Sequence, residues 1–128
     1  PGVPAVVAGA VTVCDEDGAA ARALARREVA LYLDVVAELD PTLTLPPDVL
    51  PVLRAALARG DHEAAGRAIP DDILDRFAFA GTPERIAAQV ETLFAAGASR
   101  VEFGTPHGLD PLRGVELLGE RVLPAVRR

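Results

Sequence analysis

Two turns hold most of the residues in this chain that could act on a ligand: Gly81-Thr82-Pro83-Glu84 and Gly104-Thr105-Pro106-His107-Gly108. In the second, two glycines let the backbone come close to a bound group. Thr105 offers a hydroxyl and His107 a hydrogen bond, a composition suited to cradling an anion. The same five residues would equally serve to reverse the chain with no ligand at all. In the first turn, capping accounts for every residue. Thr82 takes the N-cap, Pro83 suits the first helical position, and Glu84 meets the positive end of the helix dipole. His107 could transfer a proton, whereas a lone loop histidine is otherwise simply solvated. His62, between Asp61 and Glu63, has no partner at metal-ligand spacing and reads as surface. Cys14 has neither a neighbouring base nor a CxxC mate and reads as an inert thiol at a strand end. Asp15-Glu16-Asp17 reads as a solvated lead-in to a helix, because paired catalytic carboxylates need a buried setting.

The elements that must carry these turns follow from periodicity. Phe77–Ala80 is a short apolar strand, and Gly81-Thr82 opens a helix whose stripe is Ile86, Val90, Leu93 and Phe94. Gly97 ends that helix, and Val101 and Phe103 carry the next strand into Gly104–Gly108. Strand, helix and strand of these lengths make a right-handed parallel βαβ unit. Upstream, Ala5–Val13 is a continuous apolar run of the kind buried on both faces. A helix is expected from about Ala19 to Ala37, with Leu24, Val29, Leu31, Leu33, Val35 and Val36 inward and Arg22, Arg26 and Arg27 outward. After a proline-rich connector, three short helices are expected: about Asp48 to Arg59, His62 to Ala68, and onward from Pro70. The 39–75 region thus reads as a helical insertion. A last helix starts at Asp110-Pro111, shows Leu112, Val115, Leu118 and Val122, and is bent or ended by Pro124. Three parallel strands with crossover helices belong to an α/β barrel or a doubly wound sheet.

The chain has 128 residues, the size of one ordinary domain, so 1–128 is read as a single domain. Half the residues are hydrophobic but only 4% are aromatic, so the core is built from small and branched aliphatics. Every one of the 13 basic residues is arginine, and the net charge of -6 argues against a nucleic-acid partner. A single cysteine excludes an internal disulfide framework and fits a reducing, cytoplasmic setting. Ala5–Val13 is too short to span a bilayer, so no membrane partner is expected. The sequence contains no methionine, which implies a removed leader or a piece of a longer protein.

Gly81-Thr82-Pro83-Glu84, the helix to Gly97, and Phe103 to Gly108 together resemble the C-terminal end of the luciferase-like monooxygenase superfamily. Within it they are most similar to the deazaflavin-dependent branch typified by methylenetetrahydromethanopterin reductase. Leu53-Arg54-Ala55-Ala56-Leu57, Arg59-Gly60-Asp61, and Leu117-Leu118-Gly119-Glu120 with Leu123-Pro124 extend the resemblance. It implies a partial TIM (β/α)8 barrel, about the last three βα units with the helical insertion. It further implies an oxidoreductase that binds coenzyme F-420 (a 5-deazaflavin) or FMN, without a metal, and transfers a hydride to or from a small organic substrate. The cofactor would lie at the C-terminal mouth of the strands, on Gly81, Thr82, Gly104, Thr105, Pro106, His107 and Gly108. No catalytic role carries over to a particular residue.

Three strands cannot close a barrel, so two sheet edges and the face meant for the barrel interior would be left open. Association, as a homodimer or through those edges, is the expectation. The competing reading is a non-catalytic α/β module that dimerises and binds a small anion.

Overall fold

The computed structural model describes residues 2 and 4–126. Its first strand, β1 (Val7–Cys14), ends in Thr12, Val13 and Cys14, all fully buried. Asp17 then caps α1 (Gly18–Ala30) by accepting a hydrogen bond from the Ala20 N–H. The single helix expected from Ala19 to Ala37 is in fact two. Tyr32 leaves helical geometry at φ -129°, its ring meets Phe77 edge-on and its hydroxyl donates to the Phe77 carbonyl. The chain restarts as α2 (Leu33–Leu39). The break resets the helical phase, so Val29 and Leu33 are buried while Leu31 and Val35 face solvent.

The three short helices expected after the connector form as α3 (Val49–Ala58), α4 (His62–Arg67) and α5 (Asp71–Phe77). Leu53, Ala65, Ile69, Ile73 and Leu74 pack with Ala21, Ala25 and Val29 of α1 in one core. α4 crosses α1 closely at Gly66, where a Cβ would sit 3.2 Å from both the Arg26 Cβ and the Arg27 nitrogen. β2 (Ala78–Gly81) starts one residue later than the apolar run suggested, because Phe77 completes α5. Thr82 caps α6 (Pro83–Ala95), and β3 (Arg100–His107) leads to α7 (Pro111–Leu117), capped by Asp110.

Pro124 neither ends nor simply bends the last helix. It has no N–H for a normal helical bond, and its ring would press on the preceding turn. The helix widens ahead of it into a π-helical turn, Leu118–Val122, and continues as α8 (Leu123–Val126). The wider turn keeps Leu117, Leu118 and Val122 all buried on the same core.

The three strands are all parallel, in the order β2-β1-β3. That order differs from the consecutive order of neighbouring strands in a barrel arc and puts β1 in the middle. The step from β1 to β2 and the step from β2 to β3 run in opposite directions across the sheet. Right-handed crossovers therefore place their helices on opposite faces. Two cores result. Val13, Ala78 and Ala80 face α1 and α3–α5; Cys14, Phe79 and Phe103 face α6, α7 and the π-turn. The bare interior face expected from an open arc is thus covered over the second half of β1.

One of the two open edges is also closed. The Gln89 side-chain amide donates to the Ala78 carbonyl (3.0 Å) and accepts from the Ala80 N–H (3.3 Å), taking the place of a neighbouring strand. Arg22 donates to the Ala80 carbonyl at 3.1 Å. Helical phase had put Arg22 outside; it is only 8% exposed. Burial would weaken a lone guanidinium, but hydrogen bonds to Asp75 (2.7 Å) and Asp71 (3.1 Å) keep it firmly protonated. In return, the Arg22 hydrogen bond and the charge of Arg26 hold the Asp71 carboxyl below its ordinary value. Among the described residues no helix is long and apolar enough to cross a membrane.

Removing the edge cap leaves buried backbone groups unpaired, so Gln89→Leu is expected to destabilise the fold by about 1–3 kcal/mol. Arg22→Leu strands two carboxylates that still reach water, and about 2–4 kcal/mol is expected. Urea unfolding of both variants checks these values. A lowered Asp71 stabilises the folded state above the unfolded carboxyl range and loses that effect as pH falls through its folded value. The wild type should therefore lose more stability than Arg22→Leu on acidification below pH 4.

Candidate functional site

In parallel α/β sheets ligands bind beyond the carboxyl ends of the strands, and where the sheet is open, at the point where neighbouring strands send their helices to opposite faces. Here that point lies between β1, followed by α1, and β3, followed by α7. Three loops meet at this end. The Asp15 N–H donates to the Gly81 carbonyl (3.1 Å), and a Cβ on Gly18 would lie 3.0 Å from the Thr82 methyl group. Cys14–Gly18 and Gly81-Thr82 are therefore in direct contact. On the other side of β1, His107 lies level with Val13 in the strand register.

The structure accounts for much of the two turns internally. Gly81 adopts φ +135°, and a Cβ there would be 2.8 Å from the Arg85 Cδ. The Thr82 hydroxyl accepts the Arg85 N–H at 3.3 Å, as a cap should. At the end of β3, three residue steps from Gly104 to His107 oppose two from Val11 to Val13, a bulge within the turn itself. A Cβ on Gly104 would sit 2.8 Å from the Ala10 carbonyl oxygen. The Thr105-Pro106 peptide bond is cis. Gly108 and Gly114 allow the loop to lie directly on α7: a Cβ on Gly114 would be 2.2 Å from the His107 carbonyl oxygen.

His107 is the exception to this internal accounting. It is the only non-glycine residue among those described with positive φ, at 79°. For a side-chain-bearing residue that conformation is strained, and such strain gathers at functional positions. Its Nε2 lies 3.0 Å from the Phe103 carbonyl oxygen. Nε2 therefore carries the proton in this arrangement, which leaves Nδ1 as an acceptor. Thr105 is exposed, with Pro106 and His107 half-buried.

A charged cluster that the sequence did not disclose closes the same end. Arg121 reaches Glu16 at 3.1 Å and also pairs with Glu84; Arg113 reaches Glu16 at 3.3 Å and Glu116 at 3.4 Å. No local motif signals it, because its members come from the loop after β1, the start of α6 and the helix after β3. The π-turn sets where Arg121 points. Glu84 is held below the usual carboxylate range by a backbone hydrogen bond at its own N–H and by Arg121. Cys14 lies nearby, and burial pushes its thiol up to about 11, with Asp15 adding to the shift and Arg121 opposing it. It is no nucleophile at neutral pH. Among the described residues no cluster of three or more His, Cys, Asp or Glu could hold a metal ion, and His62 stays apart at the start of α4.

Parallel strands with helices on both faces, and glycine-rich loops meeting at their carboxyl ends, define an α/β protein whose candidate site lies at that end. Residues 1–100 match the luciferase-like monooxygenase family, and the chain belongs to that family. The 5,10-methylenetetrahydromethanopterin reductase of Archaeoglobus fulgidus is 30% identical over 129 residues, covering 94% of this chain and 38% of the relative. The protein of the same name from Methanopyrus kandleri is 33% identical over 69 residues, or 54% of this chain and 20% of that one. The solved coenzyme F-420-dependent tetrahydromethanopterin reductase of Methanopyrus kandleri superposes with a TM-score of 0.74 at 25% identity. That match covers 96% of this chain and 36% of the reductase, so the fold corresponds to part of a TIM-barrel-like reductase. The chain spans under two-fifths of the length of these relatives.

Cys14 should resist iodoacetamide at pH 8 in the folded protein and react fully in denaturant. A thiol near 9.0 when unfolded and about 11 when folded stabilises the fold below pH 9, and that stabilisation is lost as pH rises toward 11. Cys14→Ser should abolish that alkaline component in unfolding measured against pH.

Proposed function

We propose that this chain is the C-terminal part of an F-420-dependent oxidoreductase, one that transfers a hydride between the cofactor and a small organic substrate. The observation that carries this reading is the meeting of Gly81-Thr82 and Gly104–Gly108 around the end of β1, in a chain related to F-420-dependent reductases. The deazaflavin, when bound, supplies two-electron hydride chemistry. The chain's own part is to hold and orient. Exposed Thr105 offers a hydroxyl to an anionic group of the cofactor, and Pro106 gives an apolar edge. His107 offers Nδ1 as an acceptor, with Gly81, Thr82, Gly104 and Gly108 forming the backbone that carries them. The 1–128 span is read as one domain, with 39–75 as its helical insertion.

Titration of the full gene product with oxidised F-420, followed by cofactor fluorescence, should give saturable binding that FMN does not match. Thr105→Val should weaken that binding by roughly tenfold, the cost of one hydrogen bond to a charged group. If neither F-420 nor FMN binds, the reading fails.

A second reading, a non-catalytic α/β dimerisation module, is favoured by one observation: the carboxyl half of β1 and the β2 edge are covered within a single copy, while among the described residues the outer edge of β3 has no strand beside it. It predicts self-association through β3 in sedimentation at micromolar concentration. A strictly monomeric boundary would end it.

A further inference from the structure

Among the described residues, every arginine but one has a carboxylate within ion-pair distance; Arg76 has none. Arg76 lies in the last turn of α5 and lines a cavity of about 630 Å³. This cavity flanks the first half of β1, at the opposite end of the sheet from the loops described above. It exists because β2 pairs with β1 only from Val11 onward, so among the described residues no strand lies beside Val7–Ala10 on that side.

The lining combines an apolar wall with very few free polar groups. Ala8, Ala10, Phe79 and Leu93 supply the wall. The Gln89 amide is occupied by Ala78 and Ala80. Asp75, the only carboxylate among the described lining residues, has one oxygen on Arg22 and the other on Arg85, and forms no ion pair with Arg76. Asp40 feels the charge of Arg76 but forms no ion pair with it, and one of its own oxygens is held by Thr42. Strand geometry adds donors. The Asp15 N–H points to β2, and alternation along β1 turns the Val7 and Gly9 N–H groups the same way, toward the cavity.

We propose that this cavity binds a small organic carboxylate with an apolar body. The carboxylate rests on Arg76, and the chain or ring lies against Phe79 and Leu93. The volume falls within the range of about 300–1,000 Å³ typical of small-ligand sites. A single guanidinium matches a singly charged planar carboxylate two-pronged. A doubly charged phosphate would leave charge uncompensated against the apolar wall. The site shares no residue with the loops at the carboxyl ends of the strands, so it stands or falls independently of the oxidoreductase reading.

Octanoate is the probe, titrated into the protein with amide NMR shifts as the readout. Saturable shifts centred on Val7, Gly9 and the Gln89 side chain are expected. The neutral isostere octanamide and the Arg76→Gln variant should each bind roughly tenfold or more weakly, and Arg76→Lys should recover part of the loss. Leu93→Trp, which fills the apolar wall, should abolish binding with Arg76 intact; circular dichroism verifies the fold of each variant. Shifts confined to other regions would overturn the proposal. So would equal binding of octanamide, unchanged affinity in Arg76→Gln, or inorganic phosphate competing as well as octanoate.

Discussion

The buried guanidinium of Arg22 is the constraint around which the chain is assembled. It lies on α1, pairs with two carboxylates of α5, and donates to the last free carbonyl on the outer edge of β2. An arginine at 8% exposure is tolerable only because all three acceptors are in place. They in turn fix α5 and β2 relative to α1. Asp75 passes the constraint on, since its second oxygen holds Arg85, whose side chain packs over Gly81. One hydrogen-bonded chain therefore runs from the first helix to the loop that opens α6.

Closure of the β2 edge has a consequence for the whole sheet. A strand edge with free N–H and C=O groups templates further pairing. Gln89 and Arg22 satisfy those groups with side chains, so β2 ends the sheet on that side. β1 then holds the centre, with helices on both faces at its carboxyl end. The loops of the candidate site rest on this rigid part, where Val13 and Cys14 are fully buried on opposite faces. The other half of the same strand has no such cover on its β2 side, and there the cavity opens.

Local chemistry was legible where one or two neighbouring residues decide the outcome. Asp61, Thr82 and Asp110 cap the helices that follow them, because an N-cap needs only a short side chain and the next turn of backbone; Asp17, read as part of a solvated lead-in, caps α1 in the same way. Gly97 takes the left-handed conformation expected of a helix stop. The break at Tyr32 was not legible, since it depends on Phe77, far away in sequence. Nor was the burial of Arg22: helical phase marks which side a residue faces, but not which distant carboxylates await it. For Gly104 and Gly108 the sequence showed that the backbone must pass close to something. Ala10 and α7 turn out to fill much of that role.

Sequence alone determined the parallel βαβ class, the helix boundaries set by caps, and the family resemblance, because each rests on local pattern and spacing. Only the tertiary structure decided that β1 is central and which edge is sealed. It also decided that Glu16, Glu84, Arg113 and Arg121 converge, and that, among the described residues, Arg76 is left without a carboxylate. Those outcomes depend on pairings between residues remote in the chain. No period or propensity encodes them, because their free energy exists only once the strands have chosen their neighbours.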